Sequence, residues 1–167
     1  PREVYVIWPR EGDPTLIIGE VAIARAQRDS WITKMEPYDD YEQTAVHATT
    51  VALNRIGLSD SRIGLEKTVL SAVRWEEFQR MLPNADLVDC TDLMNAVRWI
   101  KTPGEIEVQK AACDLLDRVY IEVFSQAHEG ETERELHSRI IQGCISQGSE
   151  IVHGTLNVNR NNHLYLG

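Results

Sequence analysis

The sequence predicts an α/β domain with a mixed sheet, followed by a separate helical segment, and three patterns carry that reading. Two short runs rich in β-branched residues, Val4 to Trp8 and Thr15 to Gly19, flank a turn made of Pro9, Glu11, Gly12, Asp13 and Pro14, and read as an antiparallel hairpin. From Asp40 to Val97 helical and extended patterns alternate, which points to an α/β layer domain with at least partly parallel pairing. After Thr102 helix follows helix, and the architecture changes.

Taken in order, the hairpin leads into an Ala-rich segment expected to hold a short helical turn, and then to a third strand over Trp31 to Met35. Asp40 and Gln43 form a capping pair for a helix whose apolar positions are Ala45, Val46, Ala48, Val51, Ala52 and Ile56, with Gly57 placed to end it. Arg62 to Glu66 is a brief strand. Ser71 caps the next helix, on which Trp75, Phe78, Met81 and Leu82 recur at helical spacing until Pro83 and Asn84 stop it. Ala85 to Cys90 returns to strand, and Asp92 opens another short helix.

The boundary lies in Arg98 to Glu107. Thr102 caps the orphan amides of a new helix, Pro103 fills the first helical position where no amide proton is needed, and Glu105 completes a capping box. On the long helix that follows, Val108, Ala112, Leu115, Val119 and Val123 make one apolar stripe; Ile106, Cys113, Leu116, Tyr120 and Phe124 make a second. So wide an apolar surface predicts burial against more than one neighbour. A second capping box, Thr132 with Glu135, opens a helix carrying Leu136, Ile140, Ile141, Cys144 and Ile145, which Gly148 should end; Glu150 to Val158 is expected to be a strand. Two helices and one strand do not bury all of this apolar surface, so the second domain is expected to be incomplete. Domains are placed at residues 1–100 and 101–167.

Composition narrows the function. A formal net charge of -9 over 167 residues argues against a nucleic-acid footprint, which needs clustered Lys and Arg, and no apolar run reaches the roughly 20 residues of a bilayer span. Cys90, Cys113 and Cys144 are odd in number and widely spaced, the pattern of reduced thiols in a cytoplasmic protein rather than a disulfide framework. A first residue of Pro rather than Met points to residues upstream.

Familiar catalytic motifs are missing. His128-Glu129 has no second His at Thr132, which rules out a helical zinc-protease motif; Gly143 and Gly148 make no phosphate loop, and no Gly-x-Ser-x-Gly elbow occurs. His47 and His137 read as solvated helix residues and His128 as a loop residue. Asp39 and Asp40 are accounted for by capping and the helix dipole, and the four tryptophans by packing.

Arg98, Ile100, Lys101, Glu105 and Ile106 match an Arg-x-Ile-Lys-x-x-x-Glu-Ile linker. Together with Arg62-Ile63-Gly64-Leu65-Glu66, Ala85-Asp86-Leu87-Val88-Asp89 and the turn Gly130-Glu131-Thr132-Glu133 before Leu136, the chain resembles the creatinase, aminopeptidase P and prolidase family of "pita-bread" proteins. The resemblance implies a creatinase-like N-terminal domain, lacking its first elements, linked to the first helices of an incomplete pita-bread domain. It implies a metal-dependent Xaa-Pro peptidase-like hydrolase, with two divalent ions (Mn, Co or Zn) held by two Asp, one His and two Glu. All five ligands would lie beyond Gly167, so no metal ligand and no hydrolase activity are expected of these residues alone.

Gly154-x-x-Asn157 followed by His163 resembles the segment in which the family places a substrate-contacting His, a role suited to a near-neutral pKa. His163 is therefore the catalytic candidate, with His153 and Asn157 as candidate substrate-binding residues. A creatinase-type amidinohydrolase, a small-molecule lyase, and a non-catalytic peptide- or protein-binding module remain open on the same fold. The expected partners are a peptide or small-molecule substrate and a second copy in a homodimer, without nucleic acid or membrane.

Overall fold

The computed structural model describes residues 3–154 and 156–157. The chain divides into two units, Pro1–Trp99 and Ile100–Gly167.

In the first unit, strands β1 (Tyr5–Ile7) and β2 (Thr15–Gly19) pair antiparallel, and β3 (Lys34–Tyr38) adds parallel to β2, giving the order β1-β2-β3. Strands β4 (Arg62–Leu65) and β5 (Asp86–Asp89) form a second, parallel pair. Every residue of β2 is buried because both faces of the strand are covered. Ile17 points into a core with Ile7, Tyr38, Val46, Leu53, Phe78 and Leu82, built from helices α2 (Ala45–Arg55) and α3 (Ala72–Met81). Leu16 and Ile18 point the other way, onto Ile32, Ala22 and the Ile23 and Ala26 side chains of α1 (Ile23–Asp29). Ile17 and Phe78 are fully buried, and each such side chain contributes about 1.5–3 kcal/mol. The first unit is thus the α/β fold with a mixed sheet that the sequence predicts.

Three local expectations need correction. The third strand starts at Lys34, not Trp31, because the Ser30 hydroxyl accepts the Ile32 amide at 3.0 Å in a tight turn that drops Ile32 into the core. Pro37 is tolerated in β3 because that strand is at the sheet edge. Helix α2 is capped by Thr44, whose hydroxyl accepts the His47 amide at 3.1 Å, and not by Asp40. Asp39 instead closes a turn by accepting the Tyr41 amide at 2.8 Å, while the Asp40 carboxylate lies against Gly19, leaving no room there for a Cβ. Finally, the described residues of Glu150 to Val158 form no strand, and no partner strand lies among the described residues of their unit.

Helix α4 (Thr91–Trp99) ends the first unit. The second consists of α5 (Pro103–Ser125) and α6 (Glu133–Ser146), each opened by the capping box its sequence announces. Gly148, at φ 99°, ends α6 in a left-handed turn: the Ser149 amide reaches back to the Cys144 carbonyl at 3.0 Å. Val119 and Val123 of α5 pack on Leu136, Ile140 and Cys144 of α6. The second stripe of α5 stays open, with Phe124 46% and Ile106 41% exposed. Among the described residues, no helix is long and apolar enough to cross a membrane.

Candidate functional site

The candidate residues follow α6. Ser149 donates its hydroxyl to the Ile151 carbonyl at 3.1 Å, and the chain then runs so that Val152 and Leu156 pack onto the α5–α6 core. His153 stands exposed and Asn157 is half-buried. Gly154 between them is open, with nothing within 4 Å of where a Cβ would stand. His163 lies outside the described residues. Of the three candidates, His153 and Asn157 share one short segment anchored by two apolar side chains on the core of the second unit.

A two-metal centre does not fit the described residues. Nowhere among them do three or more His, Cys, Asp or Glu side chains gather closely enough to hold an ion. Two carboxylate oxygens, Glu3 Oε2 and Glu131 Oε2, are buried without a hydrogen-bond partner among the described residues, but the neighbours of both carboxylates are arginines. Arg74 Nε donates to Glu3 Oε1 at 2.8 Å, and Arg139 donates to Glu131 Oε1 at 2.7 Å. A guanidinium already balances each charge, so neither site attracts a divalent cation.

These arginines organise networks that sequence reading missed. Arg74 also donates to Glu77 Oε2 at 2.8 Å, and the Thr44 hydroxyl donates to the other Glu77 oxygen, tying the start of α2 to α3 and to the chain before β1. Arg139 additionally reaches the Val123 carbonyl at 3.3 Å and the Gln126 side chain at 3.2 Å, closing the turn between α5 and α6. Glu3 and Arg74 are 71 residues apart, and nothing local in the sequence signals their pairing. Both networks hold elements in place.

Elsewhere among the described residues, the shifts at one thiol and two phenols run away from nucleophile activation. Burial, followed by the nearby Glu66 and Asp89 charges, pushes the Cys90 thiol above its ordinary range, away from the reactive thiolate. Tyr5 and Tyr38 are pushed up to about 12, chiefly by burial, so both phenols stay protonated at neutral pH. The Tyr38 hydroxyl donates to the Glu3 carbonyl at 2.7 Å, a structural bond between the end of β3 and the chain before β1.

An α/β unit with a mixed three-stranded sheet, a parallel strand pair and a capped helical hairpin after the linker defines the class. Comparison with known proteins narrows it: the Creatinase/Prolidase N-terminal domain model matches residues 2–100, more than half of the chain. The chain belongs to the creatinase/prolidase family. A curated Xaa-Pro dipeptidase from Pyrococcus furiosus is 24% identical over 143 residues, covering 84% of this chain and 37% of its own length.

Two solved structures share the fold. An X-Pro aminopeptidase from Thermotoga maritima superposes with a TM-score of 0.73 at 19% identity, over 84% of this chain and 38% of that one. A prolidase from Pyrococcus horikoshii OT3 gives 0.71 at 22% identity, over 88% of this chain and 39% of that one. Residues 2–100 cannot account for such coverage, so the likeness continues into the helices after the linker. The chain spans well under half the length of these relatives.

Proposed function

We propose that these residues are the accessory α/β domain, residues 1–100, and the opening of the catalytic domain, residues 101–167, of a metal-dependent Xaa-Pro peptidase-like hydrolase. The observation that carries the reading is the family match over residues 2–100, joined to relatives named as Xaa-Pro dipeptidase, X-Pro aminopeptidase and prolidase. The substrate is a peptide with proline in second position, cleaved at the bond before the proline. Two divalent ions, Mn, Co or Zn, serve the whole enzyme, held by residues other than those described here; residues 1–167 alone are inactive.

Within this reading His163 contacts the substrate, His153 and Asn157 line its pocket, and the protein works in the cytoplasm as a homodimer. Support for the pocket assignment is the anchoring of the segment by Val152 and Leu156, which fixes where His153 and Asn157 emerge. The test is an assay of the whole protein, loaded in turn with Mn, Co and Zn, on a panel of Xaa-Pro dipeptides and on matched dipeptides without proline. Metal-dependent cleavage confined to the Xaa-Pro set, by a species that sediments as a dimer, is the expected result. Lack of turnover of every dipeptide would overturn the assignment.

One observation favours keeping a second reaction in view: the matching family model spans creatinases as well as prolidases. A metal-free amidinohydrolase on this fold would lack the five metal ligands, so their presence or loss in the whole protein separates the two.

A further inference from the structure

We draw no further inference here: the strongest candidate, the outer face of the edge strand β1, where Val4, Val6 and Trp8 stand exposed and Trp8 meets Trp31 edge-on at 5.7 Å, is an unpartnered apolar sheet face, and nothing in the structure shows what covers it.

Discussion

A methyl group added at Gly143 would stand 2.8 Å from Val119 Cγ1, inside the contact between α5 and α6. Val119 is 1% exposed and stiff at its branched Cβ, so it has nowhere to turn. Crowding of this kind costs about 1–3 kcal/mol, against a gain of about 0.5–1 kcal/mol for Ala over Gly in a helix. Gly143→Ala should therefore destabilise the protein by about 1 kcal/mol. Gly104, near the start of α5, has nothing within 4 Å, and Gly104→Ala should stabilise by about 0.5 kcal/mol. Urea unfolding followed by far-UV circular dichroism reads both, and equal shifts of the same sign would refute the close packing.

Glu77 contributes to the response to acid. Burial alone would raise its pKa, but the bonds from Thr44 and Arg74 outweigh burial and hold it below its ordinary value of 4.5. A carboxyl lowered by folding stabilises the native state above its unfolded pKa, and that stability is lost as pH falls through the folded value. Asp89, bonded by the Thr91 hydroxyl, and the capping Glu105 and Glu135, bonded by the Thr102 and Thr132 amides, shift the same way. The unfolding free energy should fall as pH drops below about 4.5, and Glu77→Gln should make that fall shallower. Superimposable acid profiles for the two proteins would show that the Arg74 network carries no such charge.

Among elements, the helices after the linker separate apolar positions that pack from those that do not. Ile140 on α6 is 5% exposed and Ile121 on α5 is 71% exposed, so one substitution tests both environments. Ile140→Ala should cost about 2–5 kcal/mol through lost burial and a cavity, whereas Ile121→Ala should stay within about 0.5 kcal/mol. A large loss at Ile121 would mean that the open side of α5 is covered in solution.

The same contrast explains what the sequence disclosed. Caps and stops are local chemistry, so Ser71, Thr102, Thr132 and Gly148 placed their helix ends correctly. Periodicity found both stripes of α5, but which stripe meets a partner depends on α6, which takes only one. Asp40 looked like a cap because its contact with Gly19, at the end of β2, is distant in sequence. The candidate site was legible only as a resemblance: the packing of Val152 and Leu156 on the α5–α6 core depends on contacts that no local pattern announces.

For the whole molecule, the family relation follows from the match over residues 2–100, and the fold from structural likeness over 84–90% of the chain. Those relatives are more than twice as long as the aligned part, and the described residues gather no cluster of metal-ligating side chains. Under the proposed reading, these residues supply an accessory domain and the opening helices of a catalytic domain, with the metal centre held by residues other than those described. The most direct measurement is a titration of purified residues 1–167 with Mn, Co and Zn, coupled to an assay for Xaa-Pro hydrolysis. The account predicts a folded, inactive protein without stoichiometric metal binding; two equivalents of tightly bound metal together with Xaa-Pro cleavage would contradict it.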